Sequence, residues 1–113
     1  MSRIIEIRSY KLKPGTRDEF HRLVIQITLP MLERWKLDVV RCGPSLHDDN
    51  GYFLMRAFPD MAEREQQETA FYGSDEWRQG PRQQILSMIE DYAETVFEVD
   101  EAAIAALRVK GQA

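Results

Sequence analysis

Cysteine is nearly absent from this chain: Cys42 is alone among 113 residues. That excludes an intramolecular disulfide and fits a reducing cytoplasm, the location expected here. Histidine is scarce as well, with only His21 and His47, and no Cys/His spacing of the kind that holds zinc occurs. There is no run of about 18 apolar residues, so no membrane span is expected. The opening MSRIIEIRSY carries Glu6 and Arg8 where a signal peptide needs an apolar stretch. A basic excess is missing too: 15 Lys and Arg stand against 19 Asp and Glu, a net charge of −4. Nucleic acid is therefore not an expected partner, because counterion release needs a basic surface. No nucleophile elbow, P-loop, dinucleotide glycine fingerprint or Ser-His-Asp order is present, which removes the familiar hydrolases and nucleotide enzymes. Cofactor-free chemistry is untouched by these absences, since it needs only a shaped pocket and one base.

What is present is a globular composition, 43% apolar and 30% charged, of a length suited to one domain. The expected unit is 1–113, with a core over about 3–99 and a tail over 100–113. Arg3 to Leu12 alternates and is rich in isoleucine, which predicts a strand. Pro14-Gly15 turns the chain, and Thr16 with Glu19 forms a capping-box pattern before a helix that should kink at Pro30. Leu37 to Leu46 reads as an irregular strand. Asp48-Asp49-Asn50-Gly51 signals a hairpin, and Tyr52 to Phe58 a further strand. Asp60 with Glu63 opens a polar helix to about Tyr72; Ser74 to Trp77 reads as one capped turn. Gly80-Pro81 starts a helix to about Asp91, Tyr92 to Val99 is the last strand, and EAAIAALR forms a tail helix before a fraying VKGQA.

The order β-α-β-β-α-β is the ferredoxin-like arrangement, an α+β fold with a four-stranded antiparallel sheet and helices on one face. The bare face is partly apolar, which makes self-association its economical cover. Strand parity places Glu6, Arg8 and Tyr10 on one side of the first strand, with Arg56 and Glu94 on matching sides of the third and fourth. The apolar alternates (Ile5, Ile7, Phe53, Met55, Ala57, Ala93, Phe97 and Val99) are expected under the helices, so the polar set should line the open side. Such a lining suits a small-molecule pocket; equally, Glu6–Arg8 and Arg56–Glu94 could neutralise one another inside a dimer interface.

Other candidates carry weaker signals. His21 lies beside the apolar face of the first helix, as a boundary imidazole or a proton acceptor near the sheet edge. Trp77 either anchors its turn over the core or stands with Phe71 and Tyr72 at a pocket mouth. His47 with Asp48 and Asp49 lies on a turn, where neighbouring side chains do not converge, so no metal site is expected. Cys42 reads as a buried thiol, and the Glu63–Glu68 run as a solvated helix face.

Three stretches carry a family resemblance: IIEIRSYKLKPGTRDEF, MRAFPDMAERE and FYGSDEWRQGPRQQILSMIEDY. The last holds the most distinctive part, Ser74, Asp75, Glu76, Trp77, Gly80 and Pro81. Together they make the chain, from about residue 3 to 99, resemble the NIPSNAP family. The resemblance implies a dimeric α/β barrel, in which two ferredoxin-like sheets face each other. Relatives in that group include cofactor-free monooxygenases, haem-handling and dye-decolourising enzymes, isomerases and plain ligand binders. It implies no set of catalytic residues and no cofactor. The expected function is therefore binding of a small organic molecule by a homodimer. A cofactor-free oxygenase or isomerase, in which Arg8 and Arg56 hold an oxyanion and Tyr10 or His21 relays a proton, is one alternative. A non-catalytic structural dimer is the other.

Overall fold

The structure is a computed structural model, and it describes residues 1–108. The stretch expected to fray, 109–113, lies outside the described residues. Strand β1 (Ser2–Leu12) is followed by α1 (Arg17–Leu23), a π-helical segment (Val24–Thr28), α2 (Leu29–Arg34), β2 (Asp38–Pro44) and β3 (Gly51–Phe58). Then come α3 (Met61–Tyr72), α4 (Asp75–Gln79), α5 (Arg82–Ser87), β4 (Ile89–Asp100) and α6 (Glu101–Leu107). The sheet runs β2-β3-β1-β4 with every neighbouring pair antiparallel, which is the ferredoxin-like order.

Local chemistry sets most boundaries. Gly15 takes a φ of 81°, in the left-handed region that closes the turn after β1. Thr16 does not cap α1 with its side chain; its hydroxyl donates to the Lys13 carbonyl at 2.7 Å instead. The irregularity expected at Pro30 is the π-helical segment just before it. Pro30 itself falls in the first turn of α2, where a missing N–H costs little. Lys36 ends that helix with a φ of 66°. Asp60 caps α3 as expected, accepting from the Glu63 N–H at 2.8 Å. Gly51 is required at the hairpin, because a Cβ there would sit 2.9 Å from Ser45 Cβ. Strand β4 begins earlier than its sequence suggests, at Ile89, because Ile89 pairs with Leu12 past an irregularity at Lys11 and Leu12.

The faces are opposite to the expectation. The side carrying Glu6, Arg8, Tyr10 and Arg56 lies under the helices, with Leu12, Tyr52, Leu54 and Phe58 in the same core as Phe20, Leu23, Phe71 and Trp77. The apolar alternates Ile5, Met55 and Ala57 occupy the other face, where Val40 and Ile104 of α6 join them. The physical reason lies in α3. Arg64, Glu68 and Tyr72 recur at four-residue spacing and present one polar stripe to the sheet. Buried charge on the strands therefore finds charge on the helix. Helix α6 packs on its own sheet, and Arg108 Nη2 reaches Asp38 at 2.7 Å. The helices thus do not all lie on one face. Among the described residues, no helix is long and apolar enough to cross a membrane.

Candidate functional site

The site is built on the cross-strand register. Glu6 lies directly opposite Arg56 of β3, and Arg8 directly opposite Glu94 of β4. Glu6 and Arg56 are both fully buried. Arg56 donates from Nε and Nη2 to Glu6 Oε1 at 3.1 and 2.6 Å, from Nη2 to Glu68 Oε2 at 3.1 Å, and from Nη1 to Tyr72 Oη at 2.8 Å. Arg64 donates to Glu6 Oε2 at 2.8 Å and to Glu94 Oε2 at 3.2 Å. Arg8 reaches Glu68 Oε1 at 3.3 Å and Tyr72 Oη at 3.4 Å, and its guanidinium lies 5.1 Å from the Tyr72 ring centre. Of the expected pairs, Glu6–Arg8 is present at 3.6 Å, whereas Arg56 pairs with Glu6 and Glu68 in place of Glu94. Glu6 bonds chiefly to Arg56 and Arg64, while Arg8 is shared, and all the partners belong to one chain.

Charges taken out of water must be compensated this closely, or the fold loses several kcal/mol. Burial opposes ionisation of Glu6, but the hydrogen bond from Glu68 and the Arg56 guanidinium outweigh it and hold the carboxyl down at about 2. Glu68 moves the other way: burial, then its contact with Glu6, pushes it up to about 7. The two carboxyls are thus driven in opposite directions, Glu6 towards its charged form and Glu68 towards its protonated one. Carboxylate oxygens of Glu6, Glu68 and Glu94 lie within 4.8 Å of one another. Arg8, Arg56 and Arg64 already fill the space between them, so the cluster is an ion-pair network, not a cation cage.

Beside this network, between sheet and helices, lies a cavity of about 470 Å³. Arg8, Tyr10, Thr28, Tyr72, Trp77 and Tyr92 contribute to its wall, together with apolar side chains that include Phe20, Val24, Leu54 and Ile85. Among the expected residues, Arg8, Tyr10 and Trp77 border the cavity. Trp77 is both an anchor and a wall: it is buried, and its ring lies 5.4 Å from Phe71 and 5.3 Å from Tyr72. Glu6, Arg56 and Glu94 stand behind the wall in the network. His21 reaches the site through Tyr52, its Nδ1 lying 2.7 Å from the Tyr52 hydroxyl. Burial raises both the Tyr52 hydroxyl and the Cys42 thiol above their ordinary values. It also pushes Tyr10 up to about 12, with Tyr72 adding to the rise.

Sequence reasoning missed Glu68 and Arg64, read as part of a solvated face, and it missed Thr28 and the bridging role of Tyr72. The recoverable signal was the spacing of Arg64, Glu68 and Tyr72, a charged stripe aligned with Glu6 and Arg8. Thr28 gave no signal in sequence. In the structure its Oγ1 is buried without a hydrogen-bond partner among the described residues, and π-helical segments of this kind often sit at functional sites.

Set against known proteins, the chain matches the NIPSNAP family model over residues 5–98. The chain belongs to the NIPSNAP family. A NIPSNAP family protein from Agrobacterium tumefaciens superposes with a TM-score of 0.81 at 12% identity, covering 91% of this chain and 90% of its own. A second from the same organism, of unknown function, gives 0.78 at 18% identity over 86% and 87%. A protein from Nitrosomonas europaea assigned as an antibiotic biosynthesis monooxygenase gives 0.63 at 9% identity over 83% and 95%. At these identities the likeness is one of fold. No curated protein matches the sequence. NIPSNAP membership thus fixes the family and the ferredoxin-like fold, and the residues around the cavity carry the rest.

Proposed function

We propose that this NIPSNAP protein binds a small, largely apolar organic molecule in the cavity between its sheet and helices, and that it does so as a homodimer in the cytoplasm. The observation that carries the reading is the cavity itself. It is about 470 Å³, within the range of small-molecule sites, and its wall sets the polar groups of Arg8, Arg82, Thr28 and several tyrosines among apolar side chains. A pocket of that size beside a buried ionic network is a shaped space, with its polar side held from behind. Helix α6 leaves part of the sheet's outer face uncovered, where Phe97 is 41% exposed and Ile7 and Phe53 are half-buried. A second copy of the chain is the cover the family resemblance suggests.

Catalysis is the second reading, favoured by the fold shared with the Nitrosomonas europaea protein. Arg8 would then steady an oxyanion. Tyr10, held up at about 12, keeps its proton near neutrality and suits an acid better than a base. That asymmetry makes binding the preferred reading. The test is turnover under oxygen with any compound that binds: consumption of the compound supports catalysis, whereas unchanged compound recovered from saturated protein supports binding alone.

A further inference from the structure

Two arginines, Arg8 and Arg82, border the cavity, and among the described residues no aspartate or glutamate does. A guanidinium has donors only, so the wall offers hydrogen-bond donors in excess of acceptors. Tyr72 adds to that excess. Among the described residues, its hydroxyl oxygen receives from Arg56 Nη1 at 2.8 Å and from Arg8 Nη1 at 3.4 Å. Both partners are donors, so both bonds use the lone pairs of Tyr72 and leave its own hydrogen to be given elsewhere. Arg8 Nε is likewise buried without a hydrogen-bond partner among the described residues. Its nearest carboxylate oxygens belong to Glu94 at 3.4 Å and Glu6 at 3.6 Å.

We infer that the cavity takes an aromatic oxyanion, a carboxylate or phenolate on a flat apolar body, and that Tyr72 donates its hydroxyl hydrogen to the oxyanion, with Arg8 beside it. This rests on the cavity being a binding site. The rings of Phe20, Trp77 and Tyr92 supply flat apolar surface for the body of such a ligand. The charge balance of the network agrees. When Glu68 carries its proton, Arg8, Arg56 and Arg64 face only Glu6 and Glu94 as anions, and one positive charge remains for a ligand to meet. Tyr72 would be a residue that positions the ligand through a single, strongly polarised hydrogen bond.

The experiment is calorimetric titration of wild type and Tyr72→Phe with 2-naphthoate and its neutral counterpart 2-naphthamide. Tyr72→Phe keeps the ring that packs on Phe71 and Trp77, so the fold should survive, and circular dichroism checks that it does. Wild type should bind naphthoate at least about tenfold more tightly than the amide, and Tyr72→Phe should weaken naphthoate by about tenfold. Equal affinity of wild type for anion and amide overturns the oxyanion inference while leaving the binding site intact. Unchanged naphthoate affinity in Tyr72→Phe overturns the role of Tyr72. Should Tyr72→Phe not fold, the wild-type preference decides the ligand class alone. If neither compound binds wild type, the binding-site reading falls and takes this inference with it.

Discussion

Arg56 sits where a single substitution should cost most. Fully buried, it holds Glu6, Glu68 and the Tyr72 hydroxyl together. Arg56→Met would leave Glu6 buried with Arg64 as its main remaining partner. Urea denaturation should show a loss of about 3–5 kcal/mol. Thr28→Val is expected to act in the opposite direction. The hydroxyl it removes is buried and unpartnered among the described residues, so the ligand-free protein should gain about 1 kcal/mol. Glu68 carries the pH signature. Its carboxyl rises from an ordinary value of 4.5 to about 7 in the fold, so the native state binds more protons than the unfolded chain between those values. Its contribution to stability is therefore full below about 4.5 and is lost as pH rises towards 7. Melting temperature followed across that window should fall in wild type and stay flatter in Glu68→Gln. Glu6, held at about 2, contributes the reverse: its share is present above 4.5 and is lost in acid below it.

At the scale of elements, alternation and turn chemistry made the strands and their order legible. The hydrophobic spacing of Phe20, Leu23 and Val24 did the same for the first helix. Parity also put Glu6, Arg8, Tyr10 and Arg56 together correctly. Which way they faced was not legible, because polarity argued for the open side of the sheet and the answer lay in a different element. Arg64, Glu68 and Tyr72 on α3 receive the buried charge, while Ile104 on α6 covers Ile5, Val40 and Met55 on the other side. Inward and outward were thus decided by tertiary pairing, which no single strand encodes. Two consequences belong to this scale. Ile104→Ala should cost about 2–4 kcal/mol by opening a cavity over the outer face, measured by denaturant midpoint. Lys36→Gly should stabilise by roughly 0.5–1 kcal/mol, because Lys36 closes α2 at a φ of 66°.

For the whole molecule, the sheet separates two tasks. Its inner face, roofed by the helices, bears the ionic network and the cavity; its outer face, partly covered by α6, leaves Phe97 exposed, and the proposed second copy would pack there. The inner network is completed within one chain, so ligand response and the proposed dimer assembly should be separable. Light scattering of Phe97→Glu, a change at a 41% exposed residue of the outer face, should show a monomer that keeps the ligand affinity of the wild type. A dimer that survives the change would place the interface elsewhere. The central claim, that the inner cavity is a binding site, is tested most directly by a thermal-shift screen of the intact protein against aromatic acids, quinones and neutral metabolites. A ligand at about a hundred times its Kd should contribute about 2.7 kcal/mol and raise the melting temperature by several degrees. That rise, with the aromatic acids foremost, is the result the account predicts. A well-folded protein whose melting temperature no compound moves would contradict it, and the cavity would then be a packing feature of the fold.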